Sequence, residues 1–434
     1  MKGNLMYCLV PAGLLVSATC VSADAPRQAV DVIYRVVDFG SLGGTSSGGN
    51  SINNTRIVTG YSNLPGDGTR HAVAWLHSLP FDLGTLGGPN SNVAWPVKNN
   101  RGIIAGIAET DRPDPFGEEW SCSAFFPSVT HQQCLGFVWR GGVMRPLPTL
   151  GGNNGFATAV DNRGRIVGWA ENTVKDPTCN PPQVLQFRAV MWGPRDDQIR
   201  ELPPLGDDTT SAATAINDAG QVVGISGICS NAVGEYSAAH AVMWENGRVR
   251  NLGDIGGVAW NTPMAINEHG AVTGFANLPG GDPAAFNAHA FVWSEGSGMQ
   301  DLGTLEGDVY SQGLGINREG RIVGLSCTAG FASCRAFVWE DGVMTDLNTL
   351  LAPGYTKHLY YANDINDFGE ITGQSLDEAS GESRTFVAVP SATLDVGDVA
   401  LTAGADEQSR PGVVLPEDAR RTLLQQLGLG RTDL

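Results

Sequence analysis

The stretch Ala215-Ile216-Asn217-Asp218-Ala219-Gly220-Gln221-Val222-Val223-Gly224 decides the fold, because it does not stand alone. Its pattern I-N-x-x-G-x-V-x-G returns at Ile266-Asn267 to Gly274, Ile316-Asn317 to Gly324 and Ile365-Asn366 to Gly373. Looser copies run from Ile52 to Gly60, from Lys98-Asn99 to Gly106 and from Val160-Asp161 to Gly168. Self-similarity at a period near fifty residues is the mark of a repeat architecture, and it outweighs the two or three domains that length alone suggests.

Two further motifs keep the same register. A-(V/F)-x-W occurs at Ala72–Trp75, Ala189–Trp192, Ala241–Trp244, Ala290–Trp293 and Ala336–Trp339, with Gly136–Trp139 a near match and Thr385–Ala388 a seventh copy lacking its tryptophan. D-L-G-T-L-G-G is intact at Asp82–Gly88, with variants after each later repeat and an early copy, Asp38–Gly44, standing before either other motif.

Within one repeat, Ala212–Ile216 alternates small and apolar residues, Asn217 to Gly220 is a tight turn, and Gln221–Ile225 pairs back. Ala239–Trp244 and Arg248–Leu252 form a second hairpin around Glu245-Asn246-Gly247. No segment of the repeat keeps a helical period over ten residues. Four short strands copied seven times predict an all-β chain, a seven-bladed β-propeller of four-stranded antiparallel blades. A solenoid, the structural alternative, calls for atypical polar caps at both ends. Instead, Val32–Phe39 is a lone fourth strand, and the last repeat, with Tyr361–Ile365, Glu370–Gln374 and Arg384–Val389, lacks one. Pairing them closes the ring with the N-terminal strand and removes two exposed edges.

The three motifs in register resemble the HAF family of bacterial extracellular repeats, whose tripeptide stands here as His289-Ala290-Phe291, with near copies His71-Ala72-Val73 and His240-Ala241-Val242. The resemblance covers nearly all of residues 32–390. It implies an exported repeat protein and brings no catalytic residues. Strand order and terminal closure also resemble Kelch propellers, although the Kelch double glycine after the second strand is absent.

Export has its own signal. Lys2, the apolar run Leu5 to Val21 and Val21-Ser22-Ala23 form a secretory signal peptide over residues 1–23, followed by a propeller over 24–390. Residues 391–434 read as a polar linker and a tail, in which Glu417–Leu427 forms a short helix that docks or stays disordered. Without Lys2 the mature chain carries 26 basic residues against 45 acidic ones, so the formal charge moves from −18 to −19. Such a chain repels phosphate backbones and anionic membrane surfaces, which excludes nucleic acid as a partner class. No later stretch spans a bilayer. The location is periplasmic or extracellular, and the chain is expected to be a monomer.

Six cysteines remain after cleavage: Cys122, Cys134, Cys179, Cys229, Cys327 and Cys334. All fall in loops between second and third strands, which emerge on one face with the inter-blade turns. An exported chain with an even count reads as disulfide-bonded. Cys122–Cys134 and Cys327–Cys334 close short loops. Cys179–Cys229 is then left to bridge neighbouring blades.

The tryptophans at the strand-three position (Trp75, Trp139, Trp192, Trp244, Trp293, Trp339) read as inter-blade packing. The aromatics outside the repeat are the candidate ligand-binding residues: Trp95, Trp260, and Phe116, Trp120, Phe125 and Phe126 in the long insertion Glu109–Leu135. They serve either as a ligand platform or as local cores beneath long loops. His71, His240 and His289 share one place at the start of the third strand and read as hydrogen-bonding groups. The Asn and Asp of the N-x-x-G turns suit calcium, but turn chemistry alone explains them. There is no G-x-S-x-G elbow between a strand and a helix, and no H-E-x-x-H, Walker or Rossmann pattern, and neither a metal nor a cofactor is expected. The reading is a non-enzymatic binding or scaffold propeller for an extracellular glycan or protein, using the long-loop face. The alternative is a secreted hydrolase or lyase acting on carbohydrate, with acidic residues around the channel mouth.

Overall fold

The computed structural model describes residues 32–391, apart from 119–121, 194, 231–233, 281, 283 and 284, and residues 413–426. Residues 1–23, expected to be a signal peptide, and most of the expected linker lie outside the described residues. Seven four-stranded antiparallel sheets follow one another: blade 1 (47–82), blade 2 (87–146), blade 3 (155–201), blade 4 (210–253), blade 5 (262–301), blade 6 (310–346) and blade 7 (358–391 with 33–38). Blade 7 takes its fourth strand, Ile33–Asp38, from the N-terminus, in register from Ile33 opposite Ser391 to Asp38 opposite Phe386. The ring is a β-propeller closed by its N-terminal strand.

Each recurring position of I-N-x-x-G-x-V-x-G has a physical cause. In the first strand of six blades the ladder skips a residue, at Asn50, Thr158, Thr214, Met264, Leu314 and Asn363, and in blade 7 it also skips Tyr360. Such a bulge bends the strand and throws a carbonyl across its neighbour. At the last glycine of every copy, a Cβ would stand 1.8–2.2 Å from a first-strand carbonyl oxygen, so no larger residue fits.

The asparagine acts twice. Asn267 Oδ1 accepts the backbone N–H groups of His269 and Ala271, which holds the turn, while Nδ2 donates to the carbonyl of Asn317 in the next blade. Asn217 reaches Asn267 and Asn366 reaches Asn53 in the same way. Turn chemistry accounts for only half of the motif; the rest is blade-to-blade attachment. The middle glycine takes positive φ in six blades, and blade 1 has Arg56 there instead (φ 65°), its guanidinium 2.8 Å from Glu370 of blade 7.

The repeat tryptophans pack between blades, as expected. Trp75, Trp192, Trp244 and Trp293 are buried, and three of these indoles donate back across the boundary: Trp75 to Gly40 O (2.7 Å), Trp192 to Pro148 O (2.8 Å) and Trp244 to Pro203 O (2.6 Å). In blade 7, where Ala388 replaces the tryptophan, buried Tyr34 of the N-terminal strand occupies the same interface.

Candidate ligand-binding face

Alternation of strands gives the ring two faces with different chemistry. One carries the seven short turns of the repeat around the channel mouth, N-x-x-G in five blades, with Arg56 for the glycine in blade 1 and Asp161 for the asparagine in blade 3. The residue after each asparagine forms a relay, its backbone N–H donating to the side-chain oxygen of its counterpart in the next blade. Asn54 donates to Asn100, Asn100 to Asn162, Asn162 to Asp218, Asp218 to Glu268, Arg318 to Asp367 and Asp367 to Asn54. The link from Glu268 to Arg318 is missing because a guanidinium has no acceptor. Below this ring Lys98, standing where five other blades have isoleucine, spans the channel. Its ammonium lies 2.8 Å from Asp364 and donates to the carbonyls of Ile316 (2.7 Å) and Ile365 (2.9 Å). Burial pushes the Asp364 carboxyl up, against the pull of Lys98.

The other face carries the insertions and the six cysteines named above. The three disulfides are Cys122–Cys134, Cys179–Cys229 and Cys327–Cys334, the second joining blades 3 and 4. The second-to-third-strand loops of blades 2 and 3 are also tied by carboxylates. Glu118 accepts the N–H groups of Val184 (2.9 Å) and Leu185 (2.5 Å), and the Gln183 amide donates to both Glu118 (3.3 Å) and Glu171 (3.0 Å). Burial, then the Glu171 charge, pushes the Glu118 carboxyl up to about 7. The amides of Asn154 and Gln183 point their N–H groups into this cluster, the wrong polarity for a cation. Among the described residues, Glu109, Cys122 and Cys134 bring potential metal-binding atoms together, but both sulfurs are committed to a disulfide.

The candidate aromatics do not stand together on the surface. Trp95, Phe125, Phe126 and Trp260 are buried, at 3%, 1%, 0% and 3% exposure. Trp95 packs edge-on against Phe125 (5.6 Å), Phe156 (5.1 Å) and Trp169 (5.7 Å), and Trp260 against Phe286 (5.4 Å). These rings fill the loop-side end of the channel, so the local-core alternative describes their placement. Phe116 is exposed, with Lys175 Nζ 5.0 Å from its ring centre. Trp120 lies outside the described residues.

The channel fill is covered by the tail. Helix α1 (Glu417–Gln426) docks with Leu415, Ala419, Leu423 and Leu424 buried in the same cluster as Trp95 and Phe125. Leu415 N–H donates to Ala332 O (2.9 Å) and Arg420 to Gly330 O (2.9 Å) in blade 6, and Gln425 donates to Phe126 O (3.2 Å) in blade 2. The helix therefore crosses the ring over the channel. Sequence reasoning found the helix but not its seat, because its apolar residues match a groove assembled from several blades.

No protein-family model matches this chain, and no curated protein matches it. Among the described residues, no helix is long and apolar enough to cross a membrane.

Proposed function

We propose that the chain is an exported, non-enzymatic binding or scaffold propeller of the HAF-repeat kind, and that its glycan or protein ligand meets the long-loop face. The supporting observation is asymmetry. The turn face repeats one short motif seven times, whereas the loop face holds every insertion and three disulfides that fix its shape. Three disulfides also suit an oxidising compartment. Screening the full chain on arrays of glycans and extracellular proteins tests the reading. Binding weakened by Phe116→Ala and indifferent to Asn100→Ala supports it; the reverse pattern overturns it.

A second reading, a carbohydrate-active enzyme at the turn-face mouth, rests on Glu268 beside Asp218. Burial and then the Asp218 charge raise the Glu268 carboxyl, as a general acid requires. Release of reducing ends from an array glycan, abolished by Glu268→Gln, would favour this reading.

A further inference from the structure

Arg70 begins the third strand of blade 1, where the other blades carry Cys134, Phe187, Ala239, Ala288, Cys334 and Ser383. Six blades thus place a small, apolar or disulfide-bonded residue at the loop-side end of the channel, and one places a guanidinium. Arg70 is 1% exposed. Among the described residues it has no carboxylate within ion-pairing distance. Its Nε donates to Asn63 Oδ1 at 3.0 Å, and the Asn63 amide in turn donates to Asp67, whose charge favours the guanidinium from beyond ion-pairing distance. Its other partners are neutral oxygens at the limit of hydrogen bonding, Phe125 O and Thr422 Oγ1, both at 3.5 Å. The Tyr61 ring lies 3.9 Å beneath it.

A guanidinium cannot shed its charge by losing a proton, and burying an ion without a counter-ion is costly. A ring stacked under the cation offsets part of that cost. The remainder is an unmet demand for an anion, aimed at the underside of α1, whose Thr422 offers only a hydroxyl. The surroundings are polar. The Tyr61 hydroxyl meets Ser46 and Gln374, and the Tyr360 hydroxyl meets Gln374 and Ser383.

We propose that Arg70 is the anchor of a carboxylate-binding site on the loop face, that α1 covers this site in the resting chain, and that the ligand is an acidic sugar. This rests on the loop-face reading above and deepens it. The planar fork of arginine matches a carboxylate in two hydrogen bonds. The neighbouring phenol, amide and hydroxyl groups suit the hydroxyls of a uronate ring. The tail helix and the ligand compete for the same space, so the apparent affinity scales with the fraction of molecules in which α1 is undocked.

Calorimetric titration of the full chain with a hexamer of galacturonic acid, and with neutral galactose hexamer as control, tests the proposal. Leu423→Ala, which loosens the helix, is expected to bind the acidic hexamer at least tenfold more tightly than the unaltered chain, and the neutral one no better. Adding Arg70→Gln to Leu423→Ala is expected to remove that gain. Thr422→Asp keeps the arginine and supplies the missing carboxylate from the helix itself; it is expected to raise the melting temperature and weaken acidic-hexamer binding tenfold, and it stays informative if Arg70→Gln fails to fold. Acidic-hexamer binding that survives both Arg70→Gln and Thr422→Asp overturns the assignment to Arg70 and leaves the loop-face reading standing. Equal binding of both hexamers by Leu423→Ala also overturns it. Absence of binding to either hexamer by every variant overturns the acidic-sugar site, while the array screen judges the loop-face reading separately.

Discussion

His71 Nδ1 lies 2.9 Å from both carboxylate oxygens of Asp82, so the first residue of the H-A-V copy is joined to the first residue of D-L-G-T-L-G-G eleven positions later. His289 and Asp301 repeat the arrangement at 3.0 Å. Where arginine replaces the histidine, Arg188 faces Glu201 at 3.6 Å, and Arg335 donates to Asp308 at 2.8 Å with Asp346 3.6 Å away. In blade 4 the D-L-G position is Asn251, and His240 turns instead to Asp208 at 3.0 Å. The two motifs are therefore one device, a cross-strand bond closing the outer hairpin of a blade.

That device predicts acid sensitivity. Burial raises the Asp82 and Asp301 carboxyls, but the histidine and the N–H groups of Gly84 and Gly303 outweigh it and hold both below the ordinary value of 3.8. A depressed carboxyl contributes stability that is present above its unfolded pKa and lost as pH falls through the folded one. Asp82→Asn is expected to cost about 0.5–1 kcal/mol at pH 7, as a half-exposed pair should, and to cost progressively less below pH ~4. Melting curves of both proteins from pH 3 to 7 check this; a pH-independent difference would refute it.

Lys98 and Asp364 predict a much larger effect. Asp364 is fully buried, and removing its cation leaves an unpaired charge in the channel, which costs about 3–5 kcal/mol. Lys98→Met is expected to lose that much in denaturant unfolding. Adding Asp364→Asn should restore more than half of it, because the remaining group is neutral and still accepts the Ile52 N–H. A double variant no more stable than Lys98→Met would count against this.

Glu118 behaves in the opposite sense to Asp82. With its pKa raised from 4.5 to about 7, the folded protein holds a proton that the unfolded chain has already released. The associated stability is full below pH ~4.5 and lost as pH rises to about 7. Glu118→Gln keeps an acceptor for Val184 and Leu185 without the charge. Its melting temperature, relative to the unaltered protein, is expected to climb between pH 5 and 8. A flat difference over that range would contradict the burial argument.

The missing link at Arg318 predicts a gain. Arg318→Asn would offer Glu268 N–H an acceptor and complete the seven-membered relay, for about 0.5–1 kcal/mol. The substitution removes a guanidinium that stands 3.7 Å from Asp367, and an ion pair so long and so exposed contributes little. A rise of about 1–2 °C in melting temperature is the expected result, and a fall would show that the relay is not limiting.

The ring was legible in the sequence because every blade repeats the same constraints: a glycine where a carbonyl crosses, an asparagine at the turn, a tryptophan at the boundary. Closure was legible from the unmatched strand at Ile33–Asp38, and the disulfides from loop lengths and the shared face. What lies at the loop-side end of the channel was not. Trp95, Phe125 and Trp260 stand outside the repeat, and no period says whether such a ring faces water or six other blades. The inter-blade partners of Asn267 and Arg70 were equally hidden, since they depend on which residues fifty or three hundred positions away the ring brings close.

The central claim is that the loop face is the ligand's side, with α1 as its cover. Hydrogen exchange of the full chain, with and without a ligand from the array screen, tests this most directly. The expected result is slower exchange in the second-to-third-strand loops of blades 1 to 3 and faster exchange along Glu417–Gln426, as the helix is displaced. Protection confined to the N-x-x-G turns around Asn100, Asp218 and Glu268, with the helix unchanged, would contradict it.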